Sequence, residues 1–196
     1  MDELILNTDS LSVGDQIENF KINYLQNGAF KEGEISDYKG KWLILFFYPA
    51  DFTFICPTEL EEMAEYYEKF QAEGAEVLSV STDTKFSHLA WHQSSPAIGK
   101  IKFPMVEDPT GEISMTMGTY IDEEGLSLRG TFIINPEGEI VSVEINDNSI
   151  GRSASELLRK LQAAKYVNEN PGHVCPASWK PGADDLVPGE DLVGKI

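Results

Sequence analysis

The stretch PADFTFICP at residues 49–57 sets a cysteine between an apolar run, WLILFFY, and a proline, Pro57, that suits the first turn of a helix. A thiol at a helix start meets backbone N–H groups with no intrahelical partner and the positive end of the helix dipole. Both favour the anion, and only the thiolate is a nucleophile, so Cys56 is the candidate attacking group. Thr53 can offer a hydroxyl to that sulfur or to a substrate oxygen, while Pro49 and Pro57 stiffen the loop and shield one side of it. Glu59, in the first helical turn, complements the dipole and suits a salt bridge that would hold a guanidinium in place. Arg129, which opens the run RGTFIIN, is the candidate cation, brought to the same sheet edge by its strand neighbours. Taken one at a time, these residues have plainer readings: turn chemistry for Thr53 and the prolines, a solvated carboxylate for Glu59, a surface cation for Arg129.

Cys175 is the second of two cysteines, and its separation from Cys56 rules out a CxxC dithiol. Neither cysteine has the clustered His or Cys companions of a zinc site, so no metal is expected. Two inert thiols, or one static disulfide in an oxidising compartment, would be the plainer account of the pair. With 196 residues, 41% of them hydrophobic, the chain can bury one substantial core and is expected to form one domain with a tail. Its 33 acidic residues against 15 basic ones give a formal charge of -18, which repels polyanions and argues against nucleic acid or an anionic membrane surface as partner. The N-terminal MDELILNTDS has no basic start and no adequate apolar stretch for a leader, and the apolar run at 42–48 is far too short to cross a bilayer. A soluble, cytoplasmic protein is the expectation.

Residues 42–48 are apolar throughout, as a central strand covered on both faces requires. From Cys56, the positions Leu60, Met63, Ala64, Tyr67 and Phe70 have helical spacing, with Gly74 as the stop. EVLSVST at 76–82 is the next strand, and DTKFSHLAWHQS has an Asp or Thr cap before a short helix. Together they make a strand, a crossover helix and a parallel strand. FPMVEDP is strand-like, and the turn NPEGE separates residues 131–134 from 140–145 as a hairpin. SASELLRKLQAAKYV opens with Ser153 and Glu156 in capping-box spacing and presents Leu157, Leu158, Leu161, Ala164 and Tyr166 as an apolar side. From Asn168 the chain is rich in Pro and Gly and loses periodicity, which marks an extended tail carrying Cys175.

The pattern Pro49-x-x-x-Thr53-x-x-Cys56 within FFYPADFTFICPTEL is similar to the active-site signature of the peroxiredoxins. The chain resembles their typical 2-Cys class, in its alkyl hydroperoxide reductase (AhpC) branch. The likeness continues through SVSTDTKFSHLAWH, DPTGEI, GRSASELLRKLQAAKYV, HVCPASWKPG and DLVGKI. It implies an α/β, thioredoxin-like fold with a central mixed β-sheet flanked by helices and an extended C-terminal tail. Residues 1–167 would form the peroxidase domain and residues 168–196 the tail with the resolving cysteine. The resemblance further implies that the Cys56 thiolate attacks the terminal oxygen of hydrogen peroxide or an organic hydroperoxide and becomes a sulfenic acid. Thr53 and Arg129 would hold the peroxide oxygens, Pro49 would shield the sulfur, and Glu59 would orient the arginine. Cys175 of a partner subunit would then condense with the sulfenic acid to an intersubunit disulfide, which requires the first turn of the Cys56 helix to unwind. The implied products are water and alcohols, the role is antioxidant defence, and no metal or organic cofactor takes part. The implied partners are a reductant protein, either an AhpF-like flavoprotein with a dithiol module or a thioredoxin system, and further copies of the chain. These would form a homodimer through sheet edges and a homodecamer, with residues 85–91 and Phe52 near the second interface; plain core packing is the alternative reading of Phe52 and Trp91.

Relatives sensitive to overoxidation carry a GGLG insertion and a C-terminal YF pair, where this chain reads SSPAIGKIKFP and DLVGKI. Resistance of Cys56 to sulfinic acid formation is therefore expected. His173 stands where close relatives often have an acidic residue; modest tuning of the resolving thiol is one reading, and a solvated loop histidine is the favoured one. A holdase chaperone or a peroxide-sensing relay is the rival reading, and the intact cysteine pair favours turnover over either. A thioredoxin-type disulfide oxidoreductase is disfavoured by the missing CxxC.

Overall fold

Continuous apolar sequence places a buried strand at the centre of the sheet, and the rest of the fold is arranged about it. In the computed structural model, which describes residues 10–195, the elements run in this order: β1 (Lys21–Gln26), β2 (Ala29–Glu34), β3 (Trp42–Phe47), α1 (Cys56–Ala72), β4 (Ala75–Ser81), α2 (Lys85–Ser94), β5 (Met105–Glu107), α3 (Glu112–Thr116), β6 (Tyr120–Ile121), β7 (Leu126–Ser127), β8 (Arg129–Ile134), β9 (Ile140–Asn146) and α4 (Ala154–Glu169). The stretch MDELILNTDS, on which the expectation of no leader rests, lies, apart from Ser10, outside the described residues. The chain divides into two units, Met1–Ala154 and Ser155–Ile196. That division falls ahead of the change in composition at Asn168, so most of α4 goes with the tail.

The first unit holds a mixed seven-stranded sheet in the order β2-β1-β5-β4-β3-β8-β9. All six residues of β3 are buried, as its unbroken apolar sequence requires. The β3-α1-β4 crossover gives a parallel pair, β5 adds to β4 in parallel, and β8 runs antiparallel to β3. β9 pairs with β8 as the expected hairpin. α1 packs on β4, and α2 against β1 and β5. Phe47, Leu78, Val80, Val106, Phe132 and Ile140 are among the buried side chains of the main apolar cluster.

Two features of this frame position chemistry. First, α1 begins at Cys56 with Pro57 as its second residue, and ends where Gly74 turns to φ +77. Second, the β3–β8 register pairs Phe46 with Thr131, and carried two residues further it sets Arg129 beside Tyr48, where the cysteine loop begins. An element the periodicity analysis does not place is the β1–β2 hairpin. Its Asn27-Gly28 turn has both residues at positive φ, a two-residue turn whose sequence is a strong hairpin signal. β2 is too polar and exposed to announce itself by hydrophobicity.

In the second unit, α4 is followed by a tail that returns on itself. Val174 and Leu186 exchange backbone hydrogen bonds as an antiparallel bridge, and a 3-10 turn spans Glu190–Leu192. Trp179 is buried, its ring centroid 4.8 Å from that of Tyr166 and its indole N–H donating to the Ala183 carbonyl at 3.1 Å. The tail is irregular in sequence yet pinned by specific contacts.

Candidate active site

Cys56 is the first residue of α1 and is wholly buried. No side chain caps this helix end; the Ile55 carbonyl instead accepts from the Thr58 and Glu59 amides at 2.9 and 3.2 Å. Arg129 Nη1 donates to Cys56 Sγ at 3.5 Å. The same nitrogen donates to Glu59 Oε2 at 2.6 Å, so the three residues that the sequence proposes as nucleophile, cation and orienting carboxylate do meet. Glu59 and Arg129 are each 3% exposed. Pro49 is buried at the end of β3, and the Thr53 hydroxyl donates to the Ala50 carbonyl at 2.9 Å. With its proton committed there, Thr53 Oγ1 is left as an acceptor.

Arg152 completes this cluster and has no signal in sequence spacing. Its Nε and Nη2 donate to the two oxygens of Glu59 at 2.9 and 3.1 Å, and its own backbone N–H donates to Oε1 at 2.8 Å. Nη1 reaches the Gly130 carbonyl at 2.7 Å and the Thr131 hydroxyl at 3.0 Å, while the guanidinium carbon lies 3.5 Å from the Phe46 ring centroid. Burial opposes ionisation of Glu59, but the hydrogen bonds and charge of Arg152, joined by Arg129, hold its carboxyl below the usual range. Burial likewise pulls the Arg152 guanidinium down, and Glu59 opposes that. Two buried guanidinium groups therefore share one carboxylate. Beyond Glu59, the acidic side chains of Glu144 and Asp147 act on Arg152 and Arg129 respectively, and Cys56 Sγ accepts a hydrogen bond from Arg129.

Beneath the loop lies a second buried set that sequence analysis does not find. The Tyr48 hydroxyl donates to Asp51 Oδ1 at 2.8 Å, and His88 Nδ1 donates to Asp51 Oδ2 at 2.8 Å. His88 Nε2 faces the Val106 carbonyl at 3.2 Å, so both ring nitrogens meet an oxygen atom. Burial works to lower the His88 pKa, yet the Asp51 hydrogen bond and charge outweigh it and the net direction is upward. The Asp51 amide donates to Asp83 Oδ2 at 2.8 Å, which ties the loop from its other side. The next residue, Phe52, takes φ +55, a strained value for a bulky side chain, and is 59% exposed with its ring 5.8 Å from that of Trp91. Among the described residues, no three His, Cys, Asp or Glu side chains gather closely enough to hold a metal ion.

Cys175 belongs to the second unit. It is half-buried and, like Cys56, a free thiol. Its Sγ donates to the Ala163 carbonyl of α4 at 3.8 Å. Burial raises the Cys175 thiol, Asp185 adds to that, and Arg159 opposes it. His173, read from sequence as a solvated loop residue, is 39% exposed at its side chain and lies 2.5 Å from Asp185 Oδ2 through Nδ1.

Comparison with known proteins identifies the family. The AhpC/TSA family matches residues 13–143, and the C-terminal domain of 1-Cys peroxiredoxin matches residues 163–193, the stretch that here contains Cys175. The chain is 53% identical to alkyl hydroperoxide reductase C of Pseudomonas aeruginosa, over 94% of this chain and 98% of that protein. It is 51% identical to alkyl hydroperoxide reductase C of Escherichia coli K12, over 91% of this chain and 98% of that protein. Among solved structures, Enterococcus faecalis AhpC superposes with a TM-score of 0.82 at 44% identity, covering 84% of this chain and 98% of that one. The reduced 2-Cys peroxiredoxin of Plasmodium vivax gives a TM-score of 0.87 at 34% identity, covering 91% and 94%. The mixed sheet of seven strands flanked by helices is the thioredoxin-like fold of these structures.

Proposed function

The chain belongs to the AhpC/TSA family and is a thiol-dependent peroxidase that reduces hydroperoxides, and we propose that Cys56 is its attacking thiolate and Cys175 its resolving thiol. One observation carries the assignment: in a buried cluster where Arg129 and Arg152 both hold Glu59, Arg129 also donates to Cys56 Sγ, a hydrogen bond that is stronger to a thiolate than to a thiol. The helix start at Cys56 adds the favourable end of the dipole. In the first step the sulfur bonds to the terminal oxygen of the hydroperoxide and the O–O bond breaks. The leaving oxygen takes up a proton and departs as water or an alcohol, and Cys56 becomes a sulfenic acid. Arg129 meets the charge developing on the oxygens, Thr53 accepts the hydrogen bond from the incoming O–H, and Pro49 screens the sulfur from bulk water. Glu59 holds Arg129, and Arg152 holds Glu59.

In the second step Cys175 of a partner subunit displaces the hydroxyl of the sulfenic acid, giving an intersubunit disulfide and water. A disulfide-reducing protein, a flavoprotein with a dithiol module or a thioredoxin system, then restores the two thiols. The assembly is a homodimer built on sheet edges and extended to a decamer. The exposed Phe52, and Phe86 at 65% exposure with its ring 5.2 Å from that of Phe30, support a second contact surface at α2 and the cysteine loop. The setting is cytoplasmic, consistent with described residues in which no helix is long and apolar enough to cross a membrane.

Single-turnover measurements on Cys56→Ser and Cys175→Ser, with non-reducing gels, separate the roles. Cys56→Ser is expected to abolish peroxide consumption. Cys175→Ser is expected to retain one stoichiometric round and form no disulfide-linked dimer. Wild-type activity in Cys56→Ser would overturn the assignment.

A further inference from the structure

The resolving thiol is held in a place of its own. Because Val174 and Leu186 form a hydrogen-bonded antiparallel pair, the register sets Cys175 directly across from Asp185. His173 and Cys175, two residues apart on one strand, project to the same side, and Val174 to the other. Asp185 Oδ2 receives two donors at once, the Tyr166 hydroxyl at 2.7 Å and His173 Nδ1 at 2.5 Å. One carboxylate oxygen thus joins α4, the strand that carries the cysteine, and the strand that returns past it. The sulfur, meanwhile, points its own hydrogen at the Ala163 carbonyl.

We propose that Asp185, held by Tyr166 and His173, is a positioning residue for the resolution step, keeping Cys175 stored as a neutral thiol until this clasp opens. The proposal rests on the reading of Cys175 as the resolving cysteine. Only the protonated sulfur can donate to a carbonyl oxygen, and a thiolate at this position would face both that oxygen and the Asp185 carboxylate. The charged and titratable groups around the sulfur come from each neighbouring segment: Arg159 and Tyr166 from α4, His173 from its own strand, Asp185 from the opposite one. Arg159 is the counterweight, but its guanidinium is engaged by Glu156 at 2.7 Å through both Nε and Nη2. Resolution makes a bond between the two sulfurs and breaks the S–O bond of the sulfenic acid. The proton that Cys175 sheds leaves with the hydroxyl as water. The stored geometry opposes the loss of that proton, so the clasp acts as a brake on this step and has no part in the first one.

The test uses the full-length protein with Tyr166→Phe, which keeps the ring against Trp179, and with Asp185→Asn, which keeps the shape and removes the charge. Rapid mixing with stoichiometric hydrogen peroxide, quenched with a sulfenic acid trap, reads the loss of the Cys56 thiol and the appearance of disulfide as separate phases. In both variants the first phase is expected to stay within about twofold of wild type and the second to accelerate roughly three- to tenfold, the scale of losing one ordinary hydrogen bond. Asp185→Asn is also expected to shift the pH profile of the second phase toward lower pH, a change that loosened structure alone does not produce. An unchanged or slower second phase in both variants, or a faster one in Asp185→Asn whose pH profile stays in place, overturns the proposal. Failure of the underlying reading is separately visible, since a disulfide-linked dimer of Cys175→Ser would remove Cys175 from the reaction whatever the clasp variants do.

Discussion

Around Cys56 the side chains are buried, charged and tied to one another; around Cys175 they are half-exposed and gathered at one hydrogen-bonded node on a returning tail. The first environment sets the sulfur against a guanidinium that Glu59 and, through it, Arg152 hold in place. The second disfavours the anion, first by burial and then by the Asp185 carboxylate across the strand. The contrast suits the two roles proposed for these sulfurs. A nucleophile that must act on encounter with a small substrate is set in advance, whereas one that acts only after a sulfenic acid exists is kept in reserve.

The sharpest way to break the contrast is to take the cation from the first site. Arg129→Ala is expected to lower the rate of the peroxide step by about 10²–10³-fold, the usual consequence of losing a donor aimed at developing charge. Stopped-flow oxidation of Cys56 would measure it, and a rate within threefold of wild type would remove Arg129 from the mechanism. Next in size is Glu59→Gln, which leaves two buried guanidinium groups without their carboxylate and is expected to cost roughly 3–5 kcal/mol of stability in denaturant titrations. The same carboxylate predicts an acid limit. Its folded pKa is depressed, so its stabilisation is present above the ordinary glutamate value near about 4.3 and lost as pH falls through the depressed one.

The smallest effect concerns the buried histidine under the loop. The folded pKa of His88 is raised, so its contribution is complete below about pH 6.5 and disappears as pH rises through the raised value. Thermal unfolding is expected to lose roughly 2–4 °C over that rise in wild type and to be flatter in His88→Gln. Identical pH slopes in the two proteins would show that the Asp51–His88 pair does not brace the first site.

Much of this arrangement can be read in the residues. β3 is legible because a strand covered on both faces leaves an unbroken apolar run, and the Cys56 loop because its pattern is local. Arg129 is reachable because its hairpin signals a strand beside β3. Arg152 is not, since its grip on Glu59 depends on the last turn before α4 meeting a helix far away in sequence, and no spacing records such a contact. The Asp51–His88 pair is hidden for the same reason. His173 reads as an ordinary loop histidine because its partner, Asp185, lies in a tail without periodicity, where only the Val174–Leu186 bridge sets the register.

Asp51 is fastened to Tyr48 and His88, and Glu59 to two arginines, so a buried carboxylate stands on either side of the reactive turn. Between these two moorings lie residues 52–58, whose helical part has no side-chain cap. Local opening is thereby confined to one short tether. Unwound as extended chain from Glu59, the turn 56–58 lets the sulfur travel about 10 Å, while the sheet and the body of α1 stay still.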